Sequence, residues 1–296
     1  MYFHYRAFGL HFKSEIEIPE LLAVTEHFPD VLIKLGTVNS TNMPGSFIFK
    51  ASYNDYFFNI DNIAKCRIQE GYLITIQPKK GATLKEIRLL LLGPIFNGLF
   101  HQRGSIQIHG SAVVKDERSI IFSGESKVGK SSLAFALNNR GYTVMADDLA
   151  LIDFSKNGIP ILQPGLSYLK LWKDVINYFN NKEKLEKVKT TLDKYYKPIK
   201  SSKNQTPVEL DTIIILRKKD TSGFHYKELF GADKFNLLLK NSFLLHFGDD
   251  MNLNYKQFIN ISTIAQHCKI SVIERPESPL QITELADLVI EKLSIS

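Results

Sequence analysis

The chain has 296 residues, 44% hydrophobic and 23% charged, which suits one large or two unequal globular domains and does not favour a disordered chain. Its formal net charge of +6 suits a partner carrying phosphate or carboxylate groups, but the Lys and Arg residues are spread along the chain, which argues against nucleic acid. The two cysteines, Cys66 and Cys268, predict neither a disulfide framework nor a paired-cysteine metal site, and they fit a cytoplasmic protein.

The first 82 residues predict a small antiparallel β-rich module. Alternating, aromatic or β-branched runs typical of strands occur at 7–12, 31–35, 47–49, 56–60 and 72–76. Residues that favour turns separate these runs, as at 42–45. The N-terminus has no long apolar run, so no signal peptide is predicted.

The most apolar stretch, 83–100, predicts a buried amphipathic helix that opens a second domain, 83–296. Arg88, Gly93 and Pro94 interrupt its apolar character, and it is too short to cross a bilayer. We therefore expect no membrane association.

A hairpin, a glycine-rich loop and a helix follow one another after residue 105. Apolar strands are predicted at 106–114 and 119–123, and a helix at 131–139 ends at Gly141. The next strand, 143–146, ends in two adjacent aspartates, and another strand covers 149–154. This order places the loop and the aspartates at strand ends, where α/β folds bind ligands.

The loop between strand and helix carries the complete nucleotide-phosphate pattern. Its glycines allow backbone N–H groups to point at phosphate oxygens, and the helix adds its positive N-terminal end. Lys130 is predicted to reach the β- and γ-phosphates and Ser131 to bind Mg²⁺, with ATP as the nucleotide. The predicted nucleotide-binding residues are Gly124, Glu125, Ser126, Lys127, Val128, Gly129, Lys130, Ser131 and Ser132.

Asp147 and Asp148 are the candidate carboxylates of the site. One can hold magnesium, and the other can accept the proton of an attacking hydroxyl group. The alternative is a metal-binding pair without a base. His109, which follows an apolar strand and precedes Gly110, is either a structural or an active-site histidine.

The second half of the chain carries softer signals. The Lys-rich stretch 182–203, with Tyr195 and Tyr196, predicts a solvated helix and mobile loop or, alternatively, a basic flap over phosphate or an acidic peptide. A strand at 211–216, a helix at 233–247, a strand at 270–273 and a helix at 282–293 complete the domain. Residues 181–184 read Asn-Lys-Glu-Lys, so a guanine-reading Asn-Lys-x-Asp motif is missing there and a GTP switch is disfavoured.

The constellation from Ile106 to Asp153 resembles the HPr kinase/phosphorylase family. The similarity lies in His-Gly before a short hairpin, the loop GESKVGKSS, a helix ending in Arg-Gly, and Ala-Asp-Asp. The resemblance implies an α/β fold in which a small N-terminal β-rich module (1–82) precedes a P-loop kinase domain of the HPr kinase / PEP carboxykinase type (83–296). It also implies that His109, Lys130 and Asp148 are catalytic, with Asp148 accepting the proton of the substrate serine. Ser131 and Asp147 would then bind the metal.

One segment departs from that family. The family carries a glutamate metal ligand downstream that also serves its phosphorylase reaction, whereas 163–172 contains no glutamate. We therefore do not expect the reverse, phosphorolytic reaction.

A subgroup of HPr-kinase-related proteins from peptide-modification gene clusters is similar over nearly the whole chain. Some of them, by resemblance, phosphorylate the C-terminal serine of a lasso-peptide precursor. The predicted function is therefore a cytoplasmic Mg-ATP-dependent serine kinase acting on a precursor peptide or small protein, and a homo-oligomer is compatible with this. The alternatives are a serine kinase for the phosphocarrier HPr and a nucleotide-binding regulator with weak ATPase activity. The similar segments are 5–10, 14–15, 18–21, 89–100 and 163–174.

Overall fold

The computed structural model describes residues 2–39, 47–52, 54–166, 168–180, 183–188, 192–199, 206–242, 255–277 and 281–294. The predicted α/β class is confirmed as a mixed α/β structure with several sheets. The chain forms two compact units, Met1–Gln107 with Ser242–Asn260 and Ile108–Asn241 with Ile261–Ser296. By contacts, residues 83–107 therefore group with the first unit. The boundary at residue 82, as a division between independently folding domains, stays a prediction.

The first unit contains an eight-stranded sheet. Its order is β3-β1-β2-β4-β8-β7-β6-β5. The strands are β1 (Phe3–Ala7), β2 (Leu10–Ser14), β3 (Leu22–Ala23), β4 (Val31–Leu35), β5 (Phe47–Ser52), β6 (Asp55–Ile60), β7 (Ala64–Gln69) and β8 (Leu73–Pro78).

The prediction of an antiparallel module was wrong in two respects. β2 pairs with β4 and β4 with β8 in parallel, so the sheet is mixed, and the long connections between these strands make parallel pairing possible. The run 7–12 is not one strand, because Phe8 and Gly9 both adopt left-handed backbone conformations and turn the chain between β1 and β2. Apolar residues alternate across this turn as they do within the strands, so the alternation gave no sign of it. The turn predicted at 42–45 lies outside the described residues.

The predicted helix at 83–100 consists of two helices joined by a π-helical turn. These are α1 (Leu84–Leu90), the π turn Leu91–Ile95 and α2 (Phe96–Arg103). Thr83 and Glu86 form a reciprocal capping box at the start of α1. Pro94 has no N–H group for a regular helical bond, and the backbone departs from helical geometry at Gly93. Among the described residues, no helix is long and apolar enough to cross a membrane.

His101 of α2 is buried inside the first unit. Its Nδ1 lies 2.7 Å from the hydroxyl oxygen of Tyr56, and its Nε2 contacts the side-chain amide nitrogen of Gln257. Burial lowers the pKa of His101 to about 4, so the imidazole is neutral at pH 7.

The second unit contains the predicted loop–helix segment and three smaller sheets. β9 (Ile106–Ile108) lies where the chain passes from the first unit to the second. The strands that follow are β10 (Gly110–Lys115), β11 (Arg118–Gly124), β12 (Thr143–Ala146), β13 (Ala150–Phe154), β14 (Pro160–Leu162), β15 (Tyr168–Trp172), β16 (Glu186–Lys187), β17 (Lys194–Pro198), β18 (Val208–Glu209), β19 (Thr212–Lys219), β20 (His225–Glu228) and β21 (Lys269–Pro276). The helices are α3 (Lys130–Asn138), α4 (Lys173–Tyr178), α5 (Ala232–Asn241), α6 (Tyr255–His267) and α7 (Ile282–Ser294), and α6 begins in the first unit.

A six-stranded sheet of order β12-β10-β11-β19-β21-β20 forms the centre of the second unit. β11, β19 and β21 are parallel, and their carboxyl ends meet at one edge. Even-numbered residues of β11 and β19 pack with α3 and α7 in a buried apolar core that includes Phe122, Ile214 and Leu216. On the opposite face of the sheet, β19 carries Ile213 and Ile215, followed by Arg217 and Lys219 towards its carboxyl end.

The Lys-rich stretch 182–203 was predicted as helix and loop, and that prediction was wrong for the residues that the structure describes there. Residues 186–187 and 194–198 form β16 and β17, which pair with β15 in a three-stranded sheet. Alternate residues of a strand face opposite sides, so the lysines of β17 divide between two faces. The second half of the helix predicted at 233–247 lies outside the described residues.

Candidate active site

The glycine-rich loop connects the end of β11 to the start of α3. Gly124 and Gly129 have φ of 132° and 107°, and Lys127 between them also has positive φ. A Cβ at Gly124 would overlap the carbonyl oxygen of Leu216 on the neighbouring strand, so only glycine fits there. The loop ends at Gly129, which is the N-cap of α3, so the free N–H groups of the helix face the same space as the loop.

Lys130 lies inside the loop. Its Nζ donates to the carbonyl oxygens of Gly124 at 2.9 Å and Glu125 at 2.8 Å, and only 7% of the residue is exposed. Burial lowers the pKa of Lys130, and the charges of Asp148 and Asp147 oppose that shift. The ammonium is thus held in a partly dry place, and no carboxylate of the described residues is in hydrogen-bond contact with it.

Asp147 is buried and accepts three hydrogen bonds. The hydroxyl groups of Ser111 and Ser131 donate to Oδ1 at 2.6 and 2.7 Å, and the backbone N–H of Lys170 donates to Oδ2 at 2.7 Å. Burial and the charge of Asp148 raise the pKa of Asp147, against these hydrogen bonds. The Ser131–Asp147 contact brings together the two residues that were predicted to bind the metal.

Asp148 has an ionic environment different from that of its neighbour. Its Oδ2 lies 2.6 Å from Nζ of Lys170, and its Oδ1 lies 3.7 Å from Nζ of Lys194. Burial alone would raise the pKa of Asp148, but the two ammonium groups outweigh it and hold the pKa below its usual value. The residue adopts a left-handed backbone conformation with φ of 65°, which is uncommon outside glycine.

His109 contacts the backbone of Asp148. Its Nδ1 lies 2.9 Å from the Asp148 carbonyl oxygen, which can only accept, so Nδ1 carries the proton. The His109 carbonyl oxygen in turn accepts from the hydroxyl group of Ser123 at the end of β11. Burial and the charge of Lys130 lower the pKa of His109, so the ring is neutral at pH 7. The geometry links the histidine to the aspartate backbone.

One cavity of about 530 Å³ is lined by eight of the predicted residues: His109, Ser126, Lys127, Gly129, Lys130, Ser131, Ser132 and Asp148. The predicted residues Gly124, Glu125, Val128 and Asp147 do not line it, and Asp147 lies buried behind Ser131 in hydrogen-bond contact with it. Seven basic residues and four acidic residues line the cavity, an excess of three positive charges. The basic residues are Lys127, Lys130, Lys170, Lys173, Lys194, Lys218 and Arg275, and the acidic ones are Asp148, Asp174, Asp193 and Glu277. A cavity with this balance suits a polyanion.

The residues present fit magnesium and a nucleotide triphosphate. Magnesium is commonly held by one or two carboxylates together with phosphate and water oxygens. Asp147 and Ser131 offer such oxygen atoms at the N-terminus of α3, next to the Lys130 ammonium. In the described part of the chain, no three His, Cys, Asp or Glu side chains converge into a metal-binding cluster.

Another cavity, of about 730 Å³, lies against the opposite face of the six-stranded sheet. Arg217 and Lys219 of β19 line it, whereas Lys218 lines the cavity with the loop. This larger cavity contains none of the predicted site residues, so its size does not make it the better candidate.

Sequence reasoning missed several residues around the loop. Lys170 and Trp172 lie on the polar face of β15, whose other face buries Leu169 and Leu171, and this alternation was the available signal. Arg275 is buried and donates from Nε to the Val128 carbonyl oxygen of the loop at 2.9 Å. That contact joins β21 to the loop across 147 positions of sequence, and no local pattern predicts it.

The comparisons with known proteins find likeness among solved structures, and it is distant. No protein-family model matches the chain, and no curated protein matches it. Among solved structures, the chain is similar to the HPr(Ser) kinase/phosphatase from Coxiella burnetii, at 16% sequence identity and a TM-score of 0.34. The match covers 64% of this chain and 92% of that one. A likeness this distant in sequence and backbone does not establish a function.

Proposed function

We propose that the chain is a cytoplasmic Mg-ATP-dependent serine kinase whose second unit is a P-loop domain of the HPr kinase type. The observation that carries the proposal is the contact between Ser131 and Asp147 at the N-terminus of α3. It joins a hydroxyl group of the glycine-rich loop to a carboxylate at a neighbouring strand end, beside Lys130. This combination of a loop, a lysine, a hydroxyl group and a carboxylate is what nucleotide-phosphate binding with magnesium requires.

Each residue has a role that follows from its contacts. ATP supplies the transferable phosphoryl group, and magnesium offsets its charge. The ammonium of Lys130 would contact the phosphates, and Ser131 and Asp147 would hold the ion. Asp148 accepts the proton of the attacking serine hydroxyl, and His109 holds the backbone of Asp148 in place.

The proposed acceptor is the C-terminal serine of a lasso-peptide precursor. The three-stranded sheet β15-β17-β16 brings Lys170 and Lys194 to the cavity, where positive charge exceeds negative. A peptide that ends in serine presents a hydroxyl group next to its terminal carboxylate, and such an excess of ammonium groups suits that carboxylate as well as ATP.

A nucleotide-binding regulator is the second candidate, and one contact favours it. The Asp148 carboxylate is paired with Lys170, so in this conformation the proposed base is occupied. A protein that binds ATP, hydrolyses it slowly and signals by changing conformation needs no free base.

The test is to incubate the protein with ATP, magnesium and three acceptors, and to look for a phosphate mass increment. The acceptors are a serine-ended precursor peptide, the same peptide with that serine changed to alanine, and an HPr-type phosphocarrier. We expect the first alone to be phosphorylated. Lys130→Ala, the matched inactive variant, should reduce the rate by roughly 10²- to 10³-fold, the size of preorganised electrostatic contributions.

The other outcomes separate the candidates. If only the HPr-type phosphocarrier is phosphorylated, the peptide is rejected as the acceptor, and the assignment as a serine kinase stands. Equal labelling of the serine and alanine peptides rejects the terminal serine as acceptor. Release of ADP with none of the acceptors phosphorylated supports the regulator.

A further inference from the structure

Lys170 contacts both aspartates of the candidate site. Its backbone N–H donates to Asp147 Oδ2 at 2.7 Å, and its Nζ lies 2.6 Å from Asp148 Oδ2. Replacing the side chain removes the ammonium and keeps the backbone hydrogen bond. The contribution of the charge can therefore be measured separately from the support that the backbone gives to Asp147.

The ammonium of Lys170 is held near two aromatic rings. Its Nζ lies 5.9 Å from the ring centroid of Tyr168 and 6.0 Å from that of Tyr196, and the two rings pack edge to face. Tyr196 lies opposite Lys170 in the pairing of β15 with β17, so the sheet itself fixes this arrangement. The carboxylate and the two rings already restrain the ammonium, so its side chain loses little conformational entropy when an anion binds.

Positive charge exceeds negative charge around Asp148. Its carboxylate has Lys170 at 2.6 Å and Lys194 at 3.7 Å, and Lys130 lines the same cavity as these three residues. Three ammonium groups therefore face two carboxylates, an excess of one. The ion pair of Asp148 leaves positive charge in the cavity.

We propose that Lys170 is a terminal-phosphate-binding residue, whose ammonium, held by Asp148, contacts the γ-phosphoryl oxygens of bound ATP. The inference rests on the proposed function, since it requires that the loop binds a nucleotide. ADP has no γ-phosphoryl group, so Lys170 should strengthen the binding of ATP and leave the binding of ADP unchanged. Lys170 thereby selects the nucleotide that can donate a phosphoryl group.

Trp172 provides a readout that does not depend on turnover. It is the single tryptophan of the chain, it lines the cavity, and the ammonium groups of Lys127 and Lys194 lie 5.2 and 5.9 Å from its ring. Its fluorescence should change when phosphate draws these cations away. Titrations with ATP and with ADP, each with magnesium, give the ratio of the two affinities.

The comparison uses Lys170→Met and, as its matched control, Lys197→Met. Lys197 lies on β17 of the same sheet and pairs with Glu183 at 2.6 Å, but it does not line the cavity. Lys170→Met should lower the affinity for ATP relative to ADP by roughly 10- to 100-fold, the value of a charge-assisted hydrogen bond. Lys197→Met should leave the ratio unchanged.

An unchanged ratio in Lys170→Met, with ADP still bound, overturns the inference, and so does an equal fall in Lys197→Met. If the unsubstituted protein binds neither nucleotide, the proposed function fails instead. Lys170→Met leaves the Asp148 charge without its nearest partner, which can unfold the variant. The measurement is therefore repeated with two proteins that lack this charge, the single variant Asp148→Asn and the double variant Asp148→Asn with Lys170→Met. Equal ratios of ATP to ADP affinity in these two proteins also overturn the inference.

Discussion

The two units of the molecule bury different kinds of polar group. The buried polar residues described in the first unit are uncharged at neutral pH, and they are Ser14, His101, Ser105, Gln107, Ser242 and Gln257. The second unit buries Lys130, Asp147 and Arg275 around one loop. Removing a charge from water costs several kcal/mol unless partners compensate for it.

Buried charges are a stronger sign of chemistry than buried neutral groups. In the first unit, His101 is neutral and lies between a hydroxyl group and an amide, so its burial is explained by structure alone. In the second unit, the hydrogen-bond partners of the Lys130 ammonium among the described residues are backbone carbonyl oxygens, and burying a charge with such partners is costlier than a purely structural role requires. Perturbed charged groups lining a cavity are typical of functional sites, and this contrast can be tested.

The largest expected effect is the loss of phosphoryl transfer in Asp148→Asn. Asparagine keeps the shape but cannot accept the proton of the serine hydroxyl, so kcat should fall by about 10²- to 10⁴-fold. Asp147→Asn should instead raise the magnesium concentration needed for half-maximal rate, because it weakens a metal ligand. Rates measured against magnesium concentration distinguish the two variants.

Two results would change this assignment. If the magnesium requirement moves in Asp148→Asn and stays fixed in Asp147→Asn, the two roles are reversed. If both variants keep full activity on the serine-ended peptide, the buried charges of the second unit are structural and the contrast between the units disappears.

The local parts of the site could be predicted from the sequence, because they depend on neighbouring residues. The glycines at 124 and 129 and the serine at 131 belong to one turn between a strand and a helix, and the structure places them there. β12, which ends at Ala146 just before Asp147, follows within the same pattern of alternating helix and strand. The roles of these residues stay predictions.

The rest of the arrangement depends on pairings between distant segments. Lys170 and Lys194 reach Asp148 only because β15 pairs with β17, 24 positions apart at these lysines, and lysine-rich sequence is usually solvated. Similarly, the parallel pairs in the first sheet join strands that are far apart in sequence, and hydrophobic alternation does not tell parallel from antiparallel pairing.

A second prediction tests the first unit by pH. The folded-state pKa of His101 is about 4, below its ordinary value of 6.5, so the unfolded chain takes up this proton first as the pH falls. The stability from the neutral ring is complete above about pH 6.5 and is lost towards pH 4. Between pH 7 and pH 5 the free energy of unfolding should fall by about 2 kcal/mol more in the unsubstituted protein than in His101→Gln.

Urea unfolding at the two pH values measures this difference. Glutamine does not titrate in this range, so the other groups contribute equally to both proteins. Parallel pH dependence in the two proteins would mean that His101 does not couple folding to protonation, and the account of His101 as a buried neutral group of the first unit would fail.

The smallest expected effect concerns His109, and it decides whether that histidine takes part in chemistry or positions Asp148. Its Nδ1–H donates to the Asp148 carbonyl oxygen, and a single hydrogen bond of this kind is worth about 0.5–1.5 kcal/mol, so His109→Ala should lower kcat by at most about tenfold. His109→Asn offers a donor nitrogen close to the position of Nδ1 and should restore most of that loss if the residue only holds the Asp148 backbone. Nucleotide affinity, followed by Trp172 fluorescence, should stay constant in both variants.

A hundredfold or larger loss of kcat that asparagine does not restore would show that the imidazole acts through Nε2 on the reacting groups. A fall in Tm with kcat unchanged in both variants would return His109 to the same class as His101, a buried neutral histidine that serves the fold.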